Sequence, residues 1–277
     1  MKSVSVLCIL FMWALSSSSS VEAKSQSSSL QFSSVHYPPF VVCNKDNVAV
    51  DGLDVRILSA VAKKLNIKLS VHCSPWRRSL HEVAAGNLDG VFPLYITDKR
   101  KSWANFIMTP LHYESYVLAS HSNGQAEINK LGDLFNKRLG LHAGFYVNKK
   151  FEQSKEEKHF SLKEFNSLEL GLKALQRDRI DYYISNITTL GHVATKMGIE
   201  KDLKIEPKRF TMPKPTYLAL SLKSSNAMTL APKLANALEE LRASGELMRI
   251  NNQYLDKELS ISDRYCPQHV EAVTIDW

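Results

Sequence analysis

The chain has 277 residues, with 35 Lys and Arg against 28 Asp and Glu, and a formal net charge of +7. The basic surplus is not gathered into a dense block interleaved with aromatics, which argues against nucleic acid as a partner and mildly favours acidic ligands or an anionic surface. The cysteines match no zinc-ligand spacing and no two of the nine histidines sit at metal-ligand spacing on one expected face, so neither a metal nor another cofactor is expected.

Residues 1–23 read as an export signal. Lys2 supplies the positive start, Val6 to Leu15 the short apolar run, and Val21-Glu22-Ala23 the small-residue cleavage site. That run is too short to span a bilayer, and no later run approaches the roughly 18 apolar residues a span requires. Cys8 leaves with the signal, so a soluble, exported, periplasmic protein is expected, with Cys43, Cys73 and Cys266 remaining. An oxidising compartment permits a disulfide, and an odd count leaves one thiol over. Cys43 follows the first expected strand and Cys73 ends the second. If those strands are neighbours, the two can meet the geometric limit of a disulfide; otherwise all three are buried thiols.

Residues 24 to 29 are polar and Ser-rich. Leu30 to Val35 alternates as a strand does, and Tyr37-Pro38-Pro39-Phe40 must leave it, because two prolines cannot sit in a central ladder. After an Asp51-Gly52 turn, Asp54 to Leu65 carries Val55, Leu58, Val61 and Leu65 on one helical stripe. Ile67 to Val71 is the next strand, Trp76 to Ala85 the next helix, and Asp89 to Tyr95 a third strand. Alternating helices and strands imply a largely parallel sheet with helices on its faces.

The pattern then restarts: strand Leu139 to His142, helix Leu168 to Leu175, a turn at Arg177 to Arg179, and strand Ile180 to Ser185. SLHEVAAGNLDGVF and SLELGLKALQRDRIDYYI share one order of amphipathic helix, polar turn, Asp and strand, which makes two similar lobes the economical reading. Two apolar, β-prone segments, Tyr113 to Ala119 and Thr216 to Leu222, are expected to join them. Leu230 to Arg249 reads as an amphipathic helix with Pro232 near its start and an interruption at Gly245. The division is therefore residues 24–112 in lobe one, 113–215 in lobe two, and 216–277 returning to lobe one. Two crossings make a hinge, and the cleft between lobes is the default ligand site.

In order along the chain, YPPF, GLDVRILSAVAKKL, AAGNLDGVF, ITDKRKSWANF, RIDYYISN and LEELRASGELMRINNQYL resemble the ligand loop, first helix, G-x-x-D strand, T-x-x-R turn, second-lobe strand and closing helix of the family 3 periplasmic solute-binding proteins, the amino-acid receptors of ABC transporters. The resemblance covers about Leu30 to Leu255. It implies an α/β fold of two lobes, the type II periplasmic-binding-protein fold, with a small-molecule ligand in the cleft, a membrane ABC permease or sensor receptor as partner, and a monomeric state.

By the same resemblance Arg100 is the arginine that clamps a ligand carboxylate, a role suited to a planar, permanently charged guanidinium. Trp76 falls where an aromatic ring covers the ligand, and Tyr37 and Phe40 line the opposite wall. Departures from the family pattern are Pro93 and Tyr95 in the strand before the T-x-x-R turn, and Gly144-Phe145, followed by Tyr146, where a Gly-Thr pair is usual. Asn186 stands where an aspartate pairs with the ligand ammonium. Asp181 is a candidate replacement, but alternation places it on the face opposite Asn186. Arg77 and Arg78 add cations, at most one of them toward the cleft. These changes imply a bulkier, more aromatic or more acidic solute. The same family frame also suggests a periplasmic dehydratase acting on a prephenate-like acid, with Glu114, His112 and Asp181 as acid–base candidates. Asn186-Ile187-Thr188 is a glycosylation sequon where the source glycosylates.

Overall fold

The computed structural model describes residues 29–123, 127–262 and 271–275; the export signal and Cys266 lie outside them. The chain opens with β1 (Ser29–Ser34) and leaves it through Tyr37-Pro38-Pro39-Phe40, a turn closed by Tyr37 N donating to Val41 O. A small hairpin, β2 (Val42–Cys43) and β3 (Ala49–Asp51), leads into helix α1 (Leu53–Leu65). Then follow β4 (Lys68–Cys73), α2 (Trp76–Ala85), β5 (Gly90–Leu94), the single-turn α3 (Asp98–Lys101) and β6 (Ala104–Glu114). Gly52, with φ +124°, admits no side chain, since a Cβ there would sit 2.3 Å from the Phe40 carbonyl oxygen.

The second half runs β7 (Tyr116–His121), β8 (Arg138–His142), α4 (Lys149–Glu156), β9 (Ser161–Phe165), α5 (Leu168–Gln176), β10 (Tyr182–Asn186), α6 (Ile187–Met197), β11 (Leu203–Ile205) and β12 (Lys208–Arg209). Strand β13 (Lys214–Ser221), helices α7 (Ser225–Ala243) and α8 (Glu246–Ser262), and β14 (Glu271–Thr274) complete it.

Two five-stranded sheets result, β4-β1-β5-β13-β6 and β11-β7-β10-β8-β9. This is the two-lobe periplasmic-binding-protein fold. The sheets are mixed, with parallel and antiparallel pairings in equal share. β1 runs parallel to β4 and β5, and β8 parallel to β9 and β10, while β13 is antiparallel to β5 and β6, and β7 to β10 and β11. The antiparallel halves are built by strands on either side of a crossing, which enter each sheet without a helical crossover. The helix–turn–strand similarity in the sequence corresponds to α2–β5 and α5–β10, whose strands both occupy the middle of their sheets.

β5 is buried along its whole length, as a strand covered on both faces must be. Its Pro93 lacks a ladder donor, and the β5–β13 register shifts there by one residue, a bulge that absorbs the loss.

The chain passes from the first sheet to the second between Glu114 and Tyr116 and returns between Arg209 and Lys214. Thr216 to Ser221 thus lies inside the first sheet rather than joining the two. The helix expected over Leu230 to Arg249 is two helices, α7 starting five residues earlier and the second starting after Gly245, whose φ of +77° ends the first. Pro232 consequently sits inside α7. The chain's last described stretch does not stay with the first lobe: β14 pairs with β12, and Ile275 is buried among second-lobe residues Tyr116, Phe151 and Phe210.

Cys43 and Cys73 form a disulfide, with Cα atoms 6.3 Å apart, tying the β2–β3 hairpin to β4. β4 is the parallel neighbour of β1, the adjacency on which the pairing depended.

Candidate functional site

The carboxyl ends of β1 and β5 and the start of β7 meet the loop after β8 in a cavity between the lobes. Its walls are Val35, Tyr37, Trp76, Pro93, Tyr95, Arg100, Glu114 and Tyr116, closed by Phe145 and Tyr146. Such a position, outside strand carboxyl ends, is where open α/β sheets bind ligands. The free interior is about 20 Å³, room for about one water, so a solute enters by parting the walls.

Arg100 owes its place to a capped turn. Thr97 accepts from the Arg100 backbone N–H at 3.2 Å and starts α3. Successive helical residues point about 100° apart, so Lys99 and Lys101 face solvent while the Arg100 side chain turns inward, 8% exposed. Its guanidinium donates to Tyr95 O at 2.8 Å. Among the described residues no carboxylate pairs with it, and burial holds its pKa below the usual arginine value.

The opposite charge in the cavity is Glu114, 7% exposed, at the end of β6. Its Oε2 accepts from Tyr37 OH at 2.6 Å and from Asn186 Nδ2 at 3.1 Å. Behind it, His112 Nε2 lies 4.0 Å away, and His112 Nδ1 bonds Asp54 Oδ1 at 2.8 Å. All three are buried. Asp54 stands in the first turn of α1, where the helix dipole favours an anion. Burial alone would lower the His112 pKa, but Asp54's charge and hydrogen bond outweigh it and raise it; burial raises that of Asp54. Both shifts keep a proton in the pair.

Trp76, 4% exposed, begins α2 and meets Phe145 edge-on at 6.0 Å. Phe145 also meets Tyr37 at 5.4 Å and stacks on His142 at 4.3 Å. The turn that presents it needs Gly144, whose φ is +78° and where a Cβ would lie 2.7 Å from Arg77 Cγ. Burial raises the Tyr95 and Tyr116 phenols far above their usual value; their rings meet at 6.2 Å. Half-buried Tyr146 completes the cover.

Several candidate site residues lie elsewhere. Phe40 does not line the cavity; it stacks on His112 at 3.8 Å and so supports the Asp54–His112 pair from behind. Arg77 is exposed and pairs across the lobes with Glu164 of β9, which also accepts from Gly144 N; Arg78 is exposed beside it. Asn186 lies in an adjoining cavity behind Phe145, with His36, His142, Glu169 and Thr189. Its Oδ1 caps α6, accepting from Thr188 N at 2.8 Å and Thr189 N at 3.1 Å. At 1% exposed it is no glycan acceptor. Asp181 points away, held by Arg138 at 2.6 Å. Tyr116 was not anticipated. Its signal was the alternation of His112, Glu114 and Tyr116, three polar or aromatic residues two apart on one face. Among the described residues no group of three His, Cys, Asp or Glu side chains is arranged to hold a metal ion.

A two-lobed fold with a charged, aromatic cavity between its lobes defines a class, the solute-binding proteins. The model of the bacterial extracellular solute-binding proteins, family 3, matches residues 32–257, and the chain belongs to that family. It is 25% identical over 223 residues to the probable amino-acid-binding protein YxeM of Bacillus subtilis (strain 168), covering 80% of this chain and 82% of that one. Among solved structures it is similar to an ancestral arginine-binding protein bound to arginine, with a TM-score of 0.70 and 20% identity over 82% of this chain and 98% of the other. It is also similar to a histidine kinase sensor domain, with a TM-score of 0.71 and 15% identity over 82% and 96%.

Proposed function

We propose that this protein is an exported, monomeric receptor that captures a small carboxylate-bearing solute between its lobes and presents it to an ABC-type membrane permease. The observation that carries this is Arg100: a guanidinium 8% exposed, facing the inter-lobe cavity, with no carboxylate partner among the described residues. A buried charge without a partner costs several kcal/mol, and a ligand carboxylate removes that cost through two parallel charged hydrogen bonds. Trp76, Tyr95 and Tyr116 supply flat apolar walls for the rest of the ligand, and Phe145 and Tyr146 cover it from the second lobe. Because only the closed arrangement touches the solute from both lobes, binding favours closure. The amino-acid-binding relative and the arginine-bound neighbour support an amino-acid-like solute.

The test is calorimetric titration of the purified mature chain with the twenty common L-amino acids and a set of aromatic and dicarboxylic acids. Mass spectrometry of small molecules released on denaturation identifies any retained solute. Arg100→Ala should weaken binding of the best solute by about 30-fold or more; unchanged affinity refutes the carboxylate clamp. Capture of a permease, as against a receptor kinase, from solubilised membranes supports the transport role; capture of the kinase overturns it.

A further inference from the structure

We infer that the C-terminal segment Glu271–Ile275 is a brace on the hinge: seated on the second crossing, it holds Tyr116 in the cavity wall and limits how far the lobes part. The segment lies beyond residues 32–257, the stretch matched by the family model, so the family frame assigns it no task. It pairs in parallel with β12, Lys208 opposite Glu271 and Arg209 opposite Thr274, and Ile275 N donates to Arg209 O at 3.0 Å. From Arg209 the bonding passes to the first crossing, where Arg209 Nη1 donates to Ser115 Oγ at 2.7 Å. The next two residues hold Tyr116: Phe210 N donates to Tyr116 O at 2.7 Å, and Tyr116 N donates to Thr211 Oγ1 at 2.9 Å. Ile275, 1% exposed, is buried in the same apolar cluster as Tyr116, Phe151 and Phe210. Tyr116 lines the inter-lobe cavity and Ile275 does not. Ile275 is thus a positioning residue, acting through the crossing strand and the Tyr116 ring.

A hinge strand swings by changing a few φ/ψ angles. Here the second crossing carries a partner strand at its side and is bonded to the first crossing. A change of angle at either works against a hydrogen bond or against the seat of Ile275. The chain reaches β14 from the first lobe. Helix α8 carries Ile250 and Tyr254 into the first-lobe core, with Arg56 of α1 over the Tyr254 ring at 4.7 Å, and it lies against α6 of the second lobe. After α8 the chain therefore makes a third passage between the lobes. A third tie narrows the range of open arrangements. Less conformational entropy is then lost on closure, so a solute binds more tightly than two ties alone would allow. The competing account is that Ile275 only fills the second-lobe core.

The experiment reads opening without a ligand. Small-angle X-ray scattering of the unliganded mature chain is compared with that of a chain ending at Ser262 and of full-length Ile275→Asp, which keeps the segment and opposes its burial. The shortened chain has no loose tail to enlarge it. Its radius of gyration should nevertheless exceed the parent's, and that of Ile275→Asp should do so as well. Both excesses should shrink at saturation with the L-amino acid that gives the largest thermal shift among the twenty common ones. Affinity for that amino acid should fall about 5-fold or more in each variant. Variants that melt lower yet scatter as the parent does overturn the inference and leave Ile275 a core residue only. Hydrogen exchange of the parent needs no variant. The Ile275 amide should be protected in the unliganded protein, and exchange at the rate of an exposed amide overturns the brace even where neither variant folds. The brace rests on capture between the lobes, but scattering and exchange of the unliganded chain need no solute. A protein that opens wider without the segment and binds no amino acid refutes the proposed receptor and not the brace. One that binds as proposed and scatters unchanged refutes the brace alone.

Discussion

Replacing Arg100 with Met should make the unliganded protein more stable. The change keeps an unbranched stem of similar reach and removes the charge. In the folded, unliganded state this guanidinium has lost most of its water and gained one hydrogen bond, to Tyr95 O. Desolvation of an ion costs several kcal/mol in a protein interior, and a hydrogen bond from a charged donor contributes about 1.5–3 kcal/mol. Removing both leaves a net gain of about 1–3 kcal/mol. At roughly 2–4 °C per kcal/mol for a chain of this size, the melting temperature rises by about 2–12 °C. Saturating ligand closes or reverses the gap: at 100 times its Kd it adds about 2.7 kcal/mol to the parent and little to the variant. Differential scanning fluorimetry with and without the solute reads both effects. A variant that melts lower than the parent without ligand, and still binds, would mean that Arg100 is a structural cation and that the reasoning from its unpaired burial is wrong.

Other consequences are open to simpler tests. The Cys43–Cys73 bridge closes a segment with a sequence separation of 30, for which chain entropy gives about 3–4 kcal/mol; the double Ser variant should lose that amount in urea unfolding and should no longer respond to reductant. Asn186→Ala strips two α6 backbone N–H groups of their acceptor and should cost about 0.5–2 kcal/mol, measured by the same unfolding curves without ligand. Burial holds His142 below its usual pKa, so the fold favours the neutral ring while the unfolded chain takes up a proton near pH 6.5. That contribution is complete above pH 6.5 and is lost as pH falls through the lowered folded value; His142→Gln should flatten the decline in melting temperature from pH 7 to pH 5.

Periodicity made the lobes legible because each lobe buries its sheets and helices by the ordinary patterns: the stripe of α1, the alternation of β1, and the repeated helix–turn–strand of α2–β5 and α5–β10. The place of the second crossing was not legible. Thr216 to Ser221 has the apolar run of a strand buried on both faces, and composition does not say whether such a strand joins lobes or completes one. The split at Gly245 was visible as a glycine, but its positive φ was not. At the site, Arg100 is singled out through the resemblance of ITDKRKSWANF to a T-x-x-R turn; composition and spacing alone do not say which of three adjacent cations turns inward. The displacement of Phe40 could not be read in this way, because its stacking partner His112 lies 72 residues away in sequence and is brought there by the strand β6. Long-range pairing of polar groups leaves no local signal, and the Tyr37–Glu114–Asn186 cluster joins three separate elements.

The placement of Arg100 on one side of the cavity and of Phe145 and Tyr146 on the other has a consequence for how a solute is caught. Arg100 and Glu114 belong to α3 and β6, both on the first-sheet side, and Glu114 is the last residue before the chain crosses. On the proposed reading, Arg100, carried by the first lobe alone, therefore meets the solute in the open state, where water screens it and it mainly orients the solute. Phe145 and Tyr146 arrive with the second lobe, exclude that water, and raise the strength of contacts already made. The exposed Arg77–Glu164 pair, whose acid also holds the Gly144 N–H beside Phe145, joins the lobes at the rim and adds little by itself. Discrimination between solutes then rests on Arg100 and on how well the side chain fills the space between Trp76 and Tyr95. Retention rests on the aromatic cover. Variants at Arg100 should change which solutes bind, and Phe145→Ala should mainly raise the dissociation rate, a division that stopped-flow fluorescence of Trp76 can resolve.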